Sequence, residues 1–494
     1  MRTIVAILFV VPALAQTVDL LAKRCVGCHS GVNPKGGLSL TSREGMLKAI
    51  VPGKSSESLL IKRVTGKIGP AMPLQGPRLT DAEIKSLSDW IDQNAPWTPE
   101  AWNPPLAPRR PVVPESKYQN PIDRFLDVYF QSKNLTFADP VSDNLFARRA
   151  WMDLWGVDPS VTEVDAFLKD STPDKRVKLI DRLLADSTMY TGHWISFWND
   201  LLRNDQGVNY AGTRKSITPW LEFALKSNLP YDKMVAALLD PAKDKGPEGF
   251  LLGVNWRGDV NASQTPFMQA SQNTAQVFLG VNLKCASCHD SFINNYKLKQ
   301  SYGMAALFSD RSQLELVRCD VKTGKFTGPE FLFPQIGTVP ENATPSERRA
   351  AAAKLFTSPD NGRLARTIAN RLWGRFFDYG LVEPVDEMDN RPWNPDLLDW
   401  LAMDLSDHGY DLKHLMRLIM TSRAYQLPSI PGQDEKGKEY TFHGPRPRRL
   451  TAEQFVDAVS SLTGEWRVLQ NDQRAMYVRE WELKSTPLSR ALGR

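Results

Sequence analysis

The chain has 494 residues, 42% of them hydrophobic and 24% charged, a balance that excludes wholesale disorder. That length exceeds what one compact core accommodates and implies two to four domains. The net charge of +5 is small for such a chain, and no nucleic-acid partner is expected.

Residues 1–15 read as a signal peptide. A basic start at Arg2 is followed by the apolar run IVAILFVVPALA, ending in the small-x-small triplet Ala13-Leu14-Ala15. The run is short for a membrane span, and no later stretch reaches that length, so the mature chain is expected without a transmembrane segment. Export places the protein in the periplasm or at the cell envelope, an oxidising compartment in which thiols tend to be occupied.

Residues 16–97 form a first unit that opens with Cys25-Val26-Gly27-Cys28-His29. This is the spacing of c-type haem attachment, because one helical turn presents two thiols and an imidazole to a single macrocycle. A zinc site would need ligands from elsewhere, since His29 is the only histidine of the unit. Met72 lies in a loop before the unit's last helix, where a thioether can supply the second axial ligand; core filling is the bland alternative. That helix carries Thr80 and Glu83 as a capping box and Ile84, Leu87 and Ile91 at helical spacing. The unit holds 11 Lys/Arg against 7 Asp/Glu, a basic excess suited to steering an acidic redox partner protein or simply to a solvated face.

Residues 98–121 are a proline-rich linker, expected extended and stiff. From 122 to 310 the pattern is helical and contains a second attachment motif, Cys285-Ala286-Ser287-Cys288-His289. A second haem c is the leading reading; a Cys285–Cys288 disulfide or a zinc site with distant ligands would use the same residues. His193, Met304 and Met268 are the candidates for its sixth ligand. The connecting segment 311–345 contains LELVRCDVKTGKF, read as a hairpin turning at Lys322-Thr323-Gly324-Lys325. Cys319 has no partner near it in sequence and is expected to be buried. Helical periodicity returns over 346–494. The polar groups Glu383, Asp386, Arg371, Trp373 and Arg375 are expected to serve as caps and buried ion pairs. The fold class is therefore mainly α: a small cytochrome domain, then two helical domains, with a minor hairpin.

The first unit resembles the planctomycete-type cytochrome c domain, through RCVGCHS, GGLSL, GKSSESLL, MPLQGPRLTDAEI and LSDWI. The remainder resembles the two large bacterial domains of unknown function that accompany it, through RRAWMDLWGVDPSVTEVDAFL, KCASCHD, ANRLWGRFFDYGLVEPVDEM and RRLTAEQFVDAVSSLTG. The resemblance implies a periplasmic haem protein passing electrons, or alternatively a haem-dependent oxidoreductase working with an exported polysaccharide-processing partner. The chain departs from the family in two places. Where relatives continue the second motif as C-x-x-C-H-D-H-P-F, this chain has Asp290-Ser291-Phe292, and Phe197 stands where a histidine is usual, with His193 one turn earlier. Similar proteins also run on beyond TPLSRALGR, so the last domain is expected to be shortened.

Overall fold

The structure is a computed structural model that describes residues 20–21, 24–25, 29, 35–38, 40, 43–74, 77–95, 105–204, 216–241, 246–251, 261–291, 293–431, 440–466, 478–482 and 486–493. The signal segment and Cys28 lie outside these residues. The chain divides into two compact units, Met1–Asn103 and Pro104–Arg494.

Among the described residues the first unit includes the helices α1 (Arg43–Met46), α2 (Leu59–Val64) and α3 (Asp81–Asp92). The expected capping box starts α3: the Thr80 side chain accepts from Glu83 N, and the Glu83 carboxylate accepts from Thr80 N at 2.7 Å. The helix buries Leu87, Trp90 and Ile91 against Met46, Leu60 and Ile61. At its far end Asp92 accepts from both N and Oγ of Ser55, closing the unit.

Among the described residues the second unit is mainly helical, with one hairpin. Its first part contains α4 (Pro121–Ser132), α5 (Asp143–Leu154), α6 (Val161–Lys169), α7 (Lys175–Ala185), α8 (Ser187–Leu201), α9 (Thr218–Lys226), α10 (Tyr231–Leu239), α11 (Pro266–Leu279) and α12 (Leu298–Ala306). Strands β1 (Leu314–Arg318) and β2 (Val321–Thr327) follow, then α13 (Pro345–Phe356), α14 (Gly362–Phe377), α15 (Pro395–Asp407), α16 (Leu412–Met420), α17 (Ala452–Thr463) and α18 (Pro487–Ala491). One continuous apolar core runs from Ile122 to Phe442, so the two helical regions share their interior. From residue 105 the proline-rich segment belongs to this unit: Gly362 N donates to Leu106 O, and Arg366 donates to Pro105 O and Ala107 O.

The hairpin forms, but not with the expected turn. Cys319 and Asp320, both at positive φ (46° and 65°), make a two-residue turn whose twist matches the paired strands. Lys322 to Lys325 lie inside β2, where Gly324 at φ 70° absorbs the register shift between the pairs Glu315–Phe326 and Val317–Lys322. The glycine marks a bulge rather than the turn.

Helix α14 is the centre of the unit. Fourteen of its 16 residues are buried, among them three arginines that find carboxylates: Arg363 with Asp389, Arg366 with Asp399 and Arg371 with Asp386. Burial pushes Arg366 down and Asp399 up in spite of their attraction, which shows how dry the pair is.

Two predictions follow from these buried charges. Asp399→Ala strands the Arg366 guanidinium without its carboxylate and is expected to cost about 3–5 kcal/mol in a urea melt; a loss within experimental error would show that Arg366 needs no counter-charge. Burial also holds Asp123 and Asp457 up at about 6, against 3.8 for an ordinary aspartate. The folded chain therefore keeps their protons over a window in which the unfolded chain releases them. Their contribution to stability is full below pH 3.8 and lost as pH rises through about 6. Unfolding free energy is expected to fall less steeply across that window in Asp123→Asn than in the parent.

Candidate functional site

The first attachment motif begins with a helical turn in which Cys25 N donates to Leu21 O at 2.9 Å and His29 N to Cys25 O at 3.1 Å. This i to i−4 pattern puts Cys25 and His29 on one side of the turn. Neighbouring Arg24 reaches across 53 residues and donates through Nη2 to Pro77 O at 2.7 Å and Arg78 O at 3.2 Å. It thereby ties the motif to the loop that carries Met72, a link the sequence reading missed. Met72 is itself held by its N–H to Arg63 O at 3.0 Å, and its side chain packs on the same core as Cys25. Burial raises the Cys25 thiol, partly opposed by Arg24. The His29 Nδ1 is buried and finds no hydrogen-bond partner among the described residues. A thiol and a thioether at one core edge, and an imidazole with an orphaned nitrogen four residues from the thiol, have the donor chemistry of haem attachment and iron ligation.

The second motif is held by the end of α11. That helix stops at Gly280 in the left-handed region (φ 60°), where a Cβ would stand 2.1 Å from Met388 Cγ, so only glycine permits the close approach. Val281 and Leu283 then anchor the chain in the core, and residues 284–288 turn back. The two residues between the cysteines pin this turn inward. Ala286 is fully buried, and buried Ser287 accepts from Gln272 Nε2 at 2.8 Å while donating to Lys284 O at 2.7 Å. Cys285, Cys288 and His289 are left half-exposed on the outer side. The His289 Nδ1 lies 2.7 Å from Asp290 O, and donation along that line puts the proton on Nδ1. Asp290 also accepts from Leu298 N at 3.0 Å, fixing the start of α12.

The proposed sixth ligands are placed differently from this motif. His193 is buried on α8 with its Nδ1 against Gly156, and burial, then the charges of Arg375, Arg479 and Arg448, hold it well below the ordinary imidazole range. Met304 is fully buried in the main core. Met268 is buried beside Tyr302 and Leu314, with its sulfur accepting from Ser301 Oγ at 3.4 Å.

Cys319, expected to be buried, is exposed at the hairpin tip. Its N–H donates to Cys288 O at 2.9 Å, and its thiol is close enough to that of Cys288 for a hydrogen bond between them. Asp320 accepts from Ala262 N and Tyr302 Oη donates to Val317 O, so the hairpin is docked along its length. The third thiol reaches the motif across 31 residues because the tight turn exposes it there.

Family models divide the chain in the same order. Planctomycete cytochrome C matches residues 25–75, a protein of unknown function (DUF1549) matches 121–313, and a second (DUF1553) matches 348–487. The chain carries a planctomycete cytochrome C domain. No curated protein and no solved structure matches the chain. The cytochrome C match opens on Cys25 and closes just beyond Met72, spanning both proposed ligand segments. The second motif falls within the DUF1549 match.

The two DUF regions together build an open cleft of about 520 Å³. Phe197 and Asp200 come from α8, Arg371 and Arg375 from α14, and Tyr379 and Glu453 from its rim. Here the polar residues singled out in the sequence separate. Arg371 is structural, bonded to Asp386 and to the carbonyls of Gln276 and Val277; Glu383 accepts from Gly380 N; Trp373 stacks on Phe377 in the core. Arg375 differs: its guanidinium makes no hydrogen bond to a described residue. Burial, then the charge of Arg448, lowers it to about 10. Burial also raises Asp378 and Glu383 in the cleft wall. Converging polar groups of this kind make the cleft a candidate binding site.

In protein whose second motif carries no haem, glutathione disulfide is expected to couple Cys288 to Cys319, read as linked peptides in a non-reducing digest. Linkage of Cys285 to Cys288 instead would show that the docked hairpin does not compete for that thiol.

Proposed function

We propose that the protein is an exported c-type cytochrome that transfers electrons in the periplasm or at the cell envelope. The observation that carries this reading is the Arg24-anchored turn of Cys25 and His29, joined to the Met72 loop within the span of the cytochrome C match. In this reading Cys25 and Cys28 hold haem c by thioethers, with His29 and Met72 as axial ligands. Bound haem supplies a one-electron iron couple, and a thioether ligand raises its potential. The chain's own residues set the environment: the core under Cys25 and Met72 excludes water, and the basic excess of the unit attracts an acidic redox partner. A second haem c is assigned to Cys285, Cys288 and His289, supported by the pinned turn and by the Nδ1 contact that presents His289 Nε2.

The cleft beside Arg375 favours a second reading, a haem-dependent oxidoreductase in polysaccharide breakdown in which the second haem is the substrate-side centre. In that case the cytochrome domain is the electron outlet.

Haem staining and a pyridine haemochrome count on the mature protein test both. Two equivalents per chain are expected, falling by one in Cys25→Ala and by one in Cys285→Ala. A count of one that Cys285→Ala leaves unchanged removes the second haem. Carbon monoxide binding by one of two haems would select the oxidoreductase, and two inert haems would select simple transfer.

A further inference from the structure

Far along the chain from either attachment motif, three ligand-type side chains converge where α15 gives way to α16. Asp404 stands in the last turn of α15, and His408, four residues on, follows the helix end, with its N–H donating to Asp404 O at 3.0 Å. Gly409 and Tyr410, both left-handed (φ 66° and 58°), then reverse the chain. Asp411 caps α16 by accepting from His414 N at 3.0 Å, which fixes His414 in the first turn. The inner faces of both helices are committed to the core through Leu405, Leu412 and Leu415. Asp404, His408 and His414 are thereby directed to the outer face.

The three ligand atoms lie close enough together for one ion to draw them in. The His414 Nε2 lies 2.8 Å from Asp404 Oδ2, and the His408 Nδ1 lies 3.5 Å from Asp404 Oδ1. The two rings stack with centroids 3.8 Å apart and planes 17° apart, so the exposed His408 has to swing out of the stack before both in-plane nitrogen lone pairs can meet one ion. Tetrahedral coordination at bonds of about 2.0–2.2 Å needs donor atoms about 3.3 Å apart, and the two pairs bracket that separation. Among the described residues this is the group whose three ligand atoms lie within 4.8 Å of one another. His408 Nδ1 also lies 2.8 Å from the Asp404 carbonyl, a contact that a metal would have to displace. Alongside, Asp407 is paired with Arg110 at 2.6 Å, and Asp411 and Lys413 flank His414, so the Asp404 carboxylate is the one that contacts both imidazoles.

We propose that Asp404, His408 and His414 bind a divalent transition metal of the zinc type. Two imidazoles with one carboxylate select zinc, nickel or copper over calcium or magnesium, which prefer all-oxygen shells. Three protein ligands leave one position to water. The ion clasps the end of α15 to the start of α16 and stabilises that corner by mass action. The assignment is independent of how many haems the protein carries.

The test is a zinc titration of the full haem-loaded protein with its free thiols alkylated, so that no cysteine competes. One zinc equivalent per chain is expected, with affinity at least tenfold weaker in His408→Ala and in Asp404→Asn and unchanged in His443→Ala. His408 is exposed, so its replacement leaves the core intact; zinc is expected to raise the melting midpoint of the parent but not of His408→Ala. Absence of saturable binding, or binding that survives both substitutions, overturns the site.

Discussion

The structure depends on charge buried inside one helix. Arginines at 363, 366, 371 and 375 place guanidiniums on several sides of α14, in a setting where an unpaired charge is costly. Each of the first three is therefore obliged to find a carboxylate and backbone carbonyls, and those partners come from elsewhere in the chain. Arg366 draws in Asp399 of α15 and the carbonyls of residues 105 and 107. Arg371 takes Asp386 from the following loop, and Arg363 takes Asp389. The apolar core supplies the driving force, but these pairs determine which segments may sit next to α14.

The same requirement reaches the second attachment motif. Helix ends leave carbonyls without intrahelical partners, and the last turn of α11 meets α14 at that point. Arg371 donates to the carbonyls of Gln276 and Val277, and Arg363 donates to Leu279 O at 3.2 Å. The helix therefore ends where the arginines can reach, one residue before Gly280 turns the chain toward Cys285. Met388 N donates to Gly280 O at 2.8 Å and fixes the exit direction. Buried charge in the DUF1553 region thus positions a motif in the DUF1549 region, which accounts for one shared core beneath two family matches.

How much of this was legible in the sequence varies with the range of the interaction. Thr80 and Glu83 could be read as a capping box because the motif is contained in four residues, and both attachment motifs could be read for the same reason. The hairpin was legible through its alternation, but its turn was not. Gly324 is the residue usually trusted to mark a turn, yet it serves a bulge, while Cys319 accepts a left-handed backbone whose N–H is engaged by Cys288 O. That tertiary contact has no local signature. Arg24 to Pro77 and Cys319 to Cys288 were invisible for the same reason, being contacts across 53 and 31 residues. Arg371 and Arg375 are indistinguishable on a helical pattern, and only their surroundings divide a structural ion pair from a guanidinium facing a cleft.

The two attachment motifs are unequal in what surrounds them. At the first, Met72 shares a core edge with Cys25 and is tied to the motif's own turn through Arg24, so a sulfur donor is already in the neighbourhood. At the second, the three candidate ligands weighed for it are occupied elsewhere: Met304 fills the core, Met268 accepts from Ser301, and His193 is buried against Gly156. A thiol, Cys319, does reach the second motif, beside Cys288. Among the described residues, none of the three candidates weighed for the sixth ligand is shown beside this motif. The identical C-x-x-C-H spacings therefore conceal two different surroundings: a methionine loop tied to the first motif through Arg24, and a docked hairpin thiol at the second.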